Sequence, residues 1–374
     1  MEKTQRLVGI DLMKGIAAYS VAVLHAGDVT NSTSVGFWAT QMQRFCSFAV
    51  PFFLITSFYL LINRMHVTGK SYSLKNRFQR LIIPYAIWSI FFLLMRSAKF
   101  LLLHETDGFE KVSDVVSIIF FGAAGLPLYF LPLLFTGTLL LNPLSCLIKK
   151  DIKLTPLFLV LLFSITLDYI LFATGNNFQL GPNIAFESLV NATLPDGNQM
   201  PFVRVALVFT AWLIKCLPFI AAAIIVNHLL TRKNRLNPNS LLMLSSTLAF
   251  LIINLLYFLS VKDLNSPIYV DFQPPIYEVT KAIALLVLAI CLSLYLPKSR
   301  IIASLSLCSF GIYLMHQPVI QIVRIPMGRL FPEFVYNVSI SSQLFFASLS
   351  FGISWLITSY LVKHKITAKL LFGI

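Results

Sequence analysis

Charged residues are scarce in this sequence. Asp, Glu, Lys and Arg together make up 12% of the 374 residues, whereas hydrophobic residues make up 57%. A soluble domain typically carries about 25% charged residues, so the composition excludes a soluble globular protein. The apolar residues recur instead in stretches of about 20, the helix length that crosses a bilayer core. The sequence therefore predicts an all-α, polytopic membrane protein.

Cysteine is also rare, and its distribution argues against two kinds of site. The five cysteines fall mostly inside apolar stretches and show neither a paired spacing nor a metal-binding spacing: Cys46, Cys146, Cys216, Cys291 and Cys308. The pattern gives no support to a disulfide framework or a thiolate metal site. We expect the thiols to act as small packing residues, and we expect no metal.

The net charge of +14 is not accompanied by a separate basic domain, which argues against nucleic-acid binding. Ten apolar segments are predicted to span the membrane: residues 8–27, 45–63, 81–95, 127–147, 155–173, 205–230, 240–261, 277–297, 301–322 and 342–362. If the N-terminus is cytoplasmic, the cytoplasmic segments hold 18 of the 29 Lys and Arg residues, and the longest outer loop, 174–204, holds only Arg204. The positive-inside rule then places both termini in the cytoplasm.

The predicted organisation is a single membrane domain over residues 1–374, without an appended soluble domain. Asp11 and Lys14 interrupt the first apolar segment and no small-residue cleavage site follows, so we expect a retained span rather than a signal peptide. An interfacial helix is predicted near residues 110–121 on the outer side. The polar loop 174–204 either lines an acceptor entrance or simply connects two spans.

The first span carries polar residues at a helical spacing. Lys14 and His25 are 11 residues apart, which on an α-helix places them on one face about 16 Å apart. Four small residues lie on the stripe between them: Gly15, Ala18, Val21 and Ala22. The face thus has a cation near the cytoplasm, a narrow track and an imidazole near the far interface, with Asp11 one turn before the cation.

A structural interpretation of the same residues stays open. Lys14 can extend to the lipid headgroups, His25 can lie in the interfacial belt, and the small residues can serve helix packing. A charge near the bilayer centre costs about 2.5–3.5 kcal/mol, so several such residues on one face favour a function.

Two arginines precede the third span. Arg77 and Arg80 are three residues apart and share a helix face at the predicted cytoplasmic end. Two guanidinium groups on one face can bind a phosphate with paired hydrogen bonds. The alternative is that these basic residues only set the membrane topology, as they do at many cytoplasmic helix ends.

These features resemble the acyltransferase-3 family of integral membrane O-acyltransferases. That family carries Lys or Arg, ten intervening residues and His in its first span, here Lys14 and His25, and Arg-x-x-Arg before its third span, here Arg77 and Arg80. Further similar stretches occur in family order, so that the resemblance runs from residue 6 to about 320. They are VPFFLITSFYLL (50–61), RLIIPYAIW (80–88), LPLYFLPLLF (126–135) and FGIYLMHQPV (310–319).

The sequence also departs from the family pattern. Thr56 and Ser57 stand where the family often has Ser-Gly, Tyr129 stands where it often has Trp, and Pro127 stands where it frequently has His. We expect no C-terminal esterase-like domain of the kind that some relatives carry. These departures concern the acceptor side more than the donor side.

The resemblance implies a donor and an acceptor. The donor is acetyl-CoA or another acyl-CoA from the cytoplasm, and the acceptor is a hydroxyl of an envelope or exported glycan, in the bacterial inner membrane. Lys14, Arg77 and Arg80 would hold the donor phosphates, and the pantetheine arm would lie along the small-residue track. Proteins of envelope-polysaccharide assembly and the bilayer itself are the expected partners.

His25 is the expected general base, because an imidazole titrates near neutral pH; an acyl-histidine intermediate is a less favoured variant. His316 matches a histidine that is common in the family; it either binds the acceptor or organises the site, or it has a purely structural role. Asp28 either orients the His25 ring or is an ordinary loop acid, and Arg44 either contacts a glycan or lipid phosphate or anchors the span.

Two further charged residues lie inside predicted spans. Asp168 and Lys215 lie in the fifth and sixth spans, and a pair between them would offset the cost of burying both.

The main alternative function is a transporter or flippase for a lipid-linked sugar or glycan, although the sequence shows no repeated halves. A non-catalytic partner in polysaccharide assembly is a third possibility, and it would not need His25.

Overall fold

The computed structural model describes residues 6–27, 34–103, 114–145, 153–178, 181–231, 238–260 and 273–374. These residues are mostly helical, because backbone groups inside a bilayer need hydrogen-bond partners within their own segment. The chain divides into two compact units, each described by itself. The first unit comprises residues 1–60 and 226–363, and the second comprises residues 61–225 and 364–374.

The helices follow one another with few strands between them. They are α1 Val8–Ala26, α2 Phe37–Cys46, α3 Ala49–Thr68, α4 Leu74–Leu103, α5 Val115–Phe121, α6 Phe130–Leu139, α7 Leu154–Thr174, α8 Glu187–Thr193, α9 Pro201–Thr231, α10 Ser240–Ser260, α11 Pro275–Leu292, α12 Arg300–Leu330, α13 Pro332–Tyr336, α14 Ile340–Leu361 and α15 Lys365–Phe372. A 3₁₀ turn, Leu126–Tyr129, precedes α6. Strand Ser34–Val35 pairs in parallel with Asn337–Val338, and Asn176–Asn177 pairs antiparallel with Ile184–Ala185.

The helix lengths confirm the predicted fold class. Within the described ranges, nine helices are long and apolar enough to cross a membrane, α2 and α3 counting together as one. The number rises to ten if α5 and the segment Leu126–Leu139, bent by 55° from each other, form one span. The chain is therefore an all-α, multi-pass membrane protein with about ten spans. The cytoplasmic location of both termini stays a prediction.

Two spans extend beyond the predicted segments for the same reason. The second span was predicted to begin at residue 45, but helix α2 already begins at Phe37; the ninth was predicted to end at residue 322, but α12 continues to Leu330. Polar residues lower the hydropathy at both places, Gln43 and Arg44 in α2 and Arg324 in α12. All three side chains are buried inside the first unit, so the helices continue through them.

Helix α1 is the buried helix of the first unit. It packs against α2, α11, α12 and α14. Gly9 allows a close approach to α11, because a Cβ at that position would collide with the backbone of Ala289. The Gly9 N–H also donates to Ser293 Oγ at 3.0 Å. The helix that carries Lys14 and His25 is thus held by neighbours on several sides.

In the second unit, a tyrosine of α4 holds the break after α5. Helix α5 ends at Gly122, which adopts a left-handed conformation with φ 79°. The Tyr85 hydroxyl donates to the Ile118 carbonyl at 2.6 Å and accepts from the Gly122 N–H at 3.0 Å. Helix α5 covers the part of the predicted interfacial helix that the structure describes; residues 104–113 lie outside the described ranges.

Replacing Tyr85 with Phe should destabilise this bend. The substitution removes both hydrogen bonds at a site shielded from water, and we expect it to cost about 1–3 kcal/mol. Thermal unfolding in nanodiscs should show a lower Tm. Tyr169→Phe, on the exposed surface of α7, is the matched control. An unchanged Tm in Tyr85→Phe would mean that the hydroxyl does not hold the bend.

The predicted topology can be tested with two single cysteines at exposed positions, Ser71→Cys and Gln199→Cys. In intact cells a membrane-impermeant thiol reagent should label Gln199→Cys, whereas Ser71→Cys should react only after lysis. The native cysteines that the structure describes are buried, which keeps background labelling low: Cys46, Cys216, Cys291 and Cys308. The opposite labelling pattern would invert the topology.

Candidate functional site

Two of the predicted site residues meet in the first unit. His25 lies in the last turn of α1 and is half-buried, and His316 lies in α12 and has no exposed surface. Their ring centroids are 5.0 Å apart and the ring planes are tilted by 33°. The contact arises because α1 and α12 pack along each other.

The surroundings of His316 indicate its tautomer. Its Nδ1 lies 3.3 Å from the Ile312 carbonyl oxygen, one turn earlier in the same helix. A carbonyl only accepts, so this hydrogen bond places the proton on Nδ1 and leaves Nε2 with a lone pair. Nε2 is shielded and has no hydrogen-bond partner among the described residues. Buried polar atoms are usually paired, so an unpaired imidazole nitrogen beside a second imidazole suggests a chemical role.

The other end of α1 contains Lys14 and Asp11. Because α1 is continuous from Val8 to Ala26, Lys14 lies on the His25 side of the helix about 16 Å away, as predicted. Lys14 is half-buried. The Asp11 carboxylate accepts hydrogen bonds from Ser306 Oγ of α12 and from Arg6 Nε, both at 2.5 Å. Asp11 therefore attaches α1 to α12 and has a structural role.

The small residues of α1 do not form an open track, and that expectation was wrong. Ala18 and Ala22 have no exposed surface and pack against side chains of α12 and α14. A Cβ on Gly15 would stand only 3.2 Å from Leu305 of α12. The stripe serves close helix packing, which was the structural alternative for these residues. The donor's pantetheine arm cannot lie along this face.

The remaining candidates of this region are Arg44 and Asp28. Arg44 is buried at the end of α2, and its Nη1 donates to Gln41 Oε1 at 3.3 Å. Its contact with a glycan or a lipid phosphate stays a prediction. Asp28 lies outside the described residues.

In the second unit, Arg77 and Arg80 lie in the first turns of α4. Arg80 is exposed and Arg77 is half-buried. The Arg77 Nε is shielded and lacks a hydrogen-bond partner in the part of the chain that the structure describes. Burial raises the pKa of the neighbouring Tyr72 phenol, so this hydroxyl stays protonated beside the guanidinium. An anion with several acceptor oxygens would supply the partner that Arg77 lacks.

The sequence matches one protein family over nearly its whole length. The family model described as an acyltransferase domain, Acyl_transf_3, covers residues 7–359. The chain belongs to this acyltransferase family. No curated protein and no solved structure matched in the parallel comparisons. The protein is thus a membrane acyltransferase, and the resemblance drawn from its motifs is confirmed.

In the acyltransferase, two charged residues whose contact the sequence left open lie close to each other. Lys215 Nζ of α9 lies 4.0 Å from Asp168 Oδ2 of α7, and Asp168 is 1% exposed. The attraction between the two groups offsets part of the cost of removing each charge from water. This places Asp168 and Lys215 in the framework of the second unit. Across the described ranges, no group of three or more His, Cys, Asp or Glu is arranged to hold a metal.

Sequence reasoning did not single out three polar residues around the last turn of α1. They are Gln43 of α2, Arg324 of α12 and Gln343 of α14, all buried. Each donates to a backbone carbonyl of that turn. The available signal was a polar residue within or beside an apolar segment. Their targets are backbone atoms of another helix, which no residue pattern reveals.

Breaking the Asp168–Lys215 pair should strongly destabilise the acyltransferase. Lys215→Met leaves the buried carboxylate without its counter-ion, and we expect a loss of about 3–5 kcal/mol. The double variant Asp168→Asn with Lys215→Met should recover much of this loss, because it removes both charges. Thermal unfolding in nanodiscs measures the effect, with the exposed Lys363→Met as control. Equal stability of Lys215→Met and the wild type would show that the pair does not stabilise the fold.

Proposed function

We propose that this membrane acyltransferase moves an acyl group, acetyl by default, from cytoplasmic acyl-CoA to a hydroxyl of an envelope or exported glycan. The bacterial inner membrane is the proposed setting. Family membership supports acyl transfer. The observation that carries the mechanism is the His25–His316 pair, in which a half-buried imidazole faces a fully buried one.

His25 acts as the general base in this proposal. It removes the proton of the acceptor hydroxyl while the hydroxyl oxygen attacks the thioester carbonyl. The new carbon–oxygen bond forms, the carbon–sulfur bond breaks, and the proton passes from His25 to the departing coenzyme A thiolate. An imidazole titrates near neutral pH, and a positioned base of this kind contributes about 10²–10⁴ in rate.

His316 has a supporting role in the same proposal. With its proton on Nδ1, it is neutral and offers Nε2 as a hydrogen-bond acceptor. The described residues form no hydrogen bond to Nε2 in the structure, but rings whose centroids are 5.0 Å apart are close enough to share one. A bond from a His25 N–H to His316 Nε2 would leave the second His25 nitrogen unprotonated for the acceptor hydroxyl.

Arg77 and Arg80 bind the phosphate groups of the donor in this proposal, and the donor role of Lys14 stays a separate prediction. The support is that the shielded Arg77 Nε has no partner within the described residues, while Arg80 follows one turn later on the same face. Guanidinium groups form paired, charge-assisted hydrogen bonds with phosphate oxygens. No soluble cofactor other than the acyl-CoA substrate is needed for the transfer.

The release of free coenzyme A from acetyl-CoA tests the base. Purified protein in nanodiscs, supplied with a crude envelope glycan, should release coenzyme A only when the glycan is present. His25→Ala should lower this rate by about 10²–10⁴-fold and leave the donor Kd unchanged. His364→Ala, an exposed histidine outside the site, is the matched control and should keep wild-type activity. Full activity in His25→Ala would remove His25 as the base.

The donor assignment has its own test. Arg80→Ala removes a charge-assisted contact to phosphate, which should raise the KM for acetyl-CoA by roughly 10- to 100-fold and change kcat little. Arg64→Ala, an exposed arginine at the end of α3, should leave the KM unchanged. If the wild type binds acetyl-CoA without releasing coenzyme A, the acyl group or the acceptor is wrong. If it does not bind the donor at all, the assignment of acyl-CoA as the donor fails.

A further inference from the structure

The last turn of α1 is completed by side chains of three other helices. The final carbonyl groups of an α-helix have few partners within that helix. The Gly27 N–H lies 3.3 Å from both the Val23 and the Leu24 carbonyl oxygen, a long hydrogen bond in each case. Gln43 of α2 adds two bonds at this turn. Its side-chain amide donates to the Leu24 carbonyl at 3.3 Å and to the Gly27 carbonyl at 2.5 Å.

Helices α14 and α12 supply the other two bonds. The Gln343 amide donates to the Val23 carbonyl at 3.0 Å. The Arg324 guanidinium donates to the Ala26 carbonyl at 2.5 Å and lies over the Phe346 ring at 5.2 Å. A cation at this position also opposes the partial negative charge at the C-terminal end of the helix.

Burying these three polar side chains has a free-energy cost. Gln343 has no exposed surface, and Gln43 and Arg324 are almost as deeply buried. Burying an amide or a guanidinium without hydrogen bonds is unfavourable, so their bonds to α1 are part of what makes these positions stable. The carbonyls of four residues around His25 are therefore held from three sides.

Gly27 is the residue that lets the two amides come together. A Cβ at Gly27 would collide with the side-chain nitrogens of both Gln43 and Gln343. The φ of Gly27 is −99°, which any residue can adopt, so the requirement is one of space rather than backbone conformation. The α1 terminus and the two amides thus fit each other as one packed arrangement.

We infer that Gln43, Arg324 and Gln343 are positioning residues for His25, an inference that rests on the proposed function. They hold the carbonyls of the two residues before His25 and of the two after it. The backbone of His25 therefore cannot shift without breaking at least one buried hydrogen bond. A displacement of about 1 Å at a reacting group can lower a rate by about 100-fold, which gives this restraint a catalytic purpose.

A structural measurement tests whether these residues hold the turn. Gln343→Met and Gln43→Met keep the side-chain length but remove the donating amide. Hydrogen exchange of the peptide that covers residues 22–28, measured in nanodiscs, should become at least about 10-fold faster in each variant. Thr358→Val, which removes a buried hydrogen bond to Met315 elsewhere in α14, should leave this exchange unchanged.

A kinetic measurement tests whether the restraint acts through His25. Each Gln→Met variant should lower kcat by about 10- to 100-fold while the donor Kd stays at its wild-type value. Adding either substitution to His25→Ala should give no further loss, because the group being positioned is already gone. Arg324→Met should behave like the Gln variants, and Arg324→Lys, which keeps a cationic donor, should recover part of the rate.

The outcomes separate this inference from the proposed function. Unchanged hydrogen exchange in the Gln→Met variants would overturn the inference, whatever the activity. Faster exchange with unchanged kcat would also overturn it, because the turn would then be held for stability alone. If the wild type shows no acyl transfer, the proposed function fails. Faster exchange in the variants would then show that the side chains hold the turn, but the turn would have no catalytic purpose. The positioning role would be overturned in that case as well.

Discussion

The absence of water inside a bilayer is the constraint on which the rest of the structure depends. A helix that ends among other helices must find partners for its last carbonyl groups in the protein itself. At the C-terminal turn of α1, the side chains of Gln43, Arg324 and Gln343 donate to these carbonyls in addition to the Gly27 N–H. At its N-terminal end, Ser306 and Arg6 satisfy Asp11, and Ser293 accepts from the backbone of Gly9. Both ends of the helix are therefore fixed to the first unit.

The polar residues of α1 divide into two classes once their contacts are known. The Asp11 carboxylate accepts a hydrogen bond from Ser306, which joins α1 to α12. His25 faces His316, whose Nε2 has no hydrogen-bond partner among the described residues. We propose a chemical role for the histidines, whereas the contacts of Asp11 are structural; in the sequence Asp11 and His25 are simply polar residues of an apolar helix.

Hydropathy predicted the helical class and most of the spans, because apolar length is what a bilayer selects. It failed at the start of α2 and at the end of α12, where Gln43, Arg44 and Arg324 interrupt the apolar run. A hydropathy profile counts such residues as solvent-facing, whereas here they are buried by contacts with other helices. The same limit explains why an open track along α1 was wrongly predicted. Small residues leave room along a helix, and only the tertiary structure shows that α12 and α14 fill it.

The sequence offered candidate site residues where a side chain can act by its own chemistry. His25 and His316 were both candidates, because an imidazole in a span is rare and reactive. The supporting residues could not be predicted, since an amide that donates to a backbone carbonyl has no partner visible in the sequence. The Asp168–Lys215 pair could be predicted only in part. Opposite charges in adjacent spans made a contact possible, and the structure places Lys215 Nζ 4.0 Å from Asp168 Oδ2.

The packed arrangement at Gly27 also has an evolutionary consequence. Gly27, Gln43 and Gln343 share one small volume, so a Cβ at position 27 requires the ends of both amide side chains to move. Such a movement weakens the hydrogen bonds that these amides donate to the Gly27 and Val23 carbonyls. Replacing either amide with a shorter side chain makes room at position 27. We expect these three positions, which are distant in the sequence, to vary together among descendants of this chain.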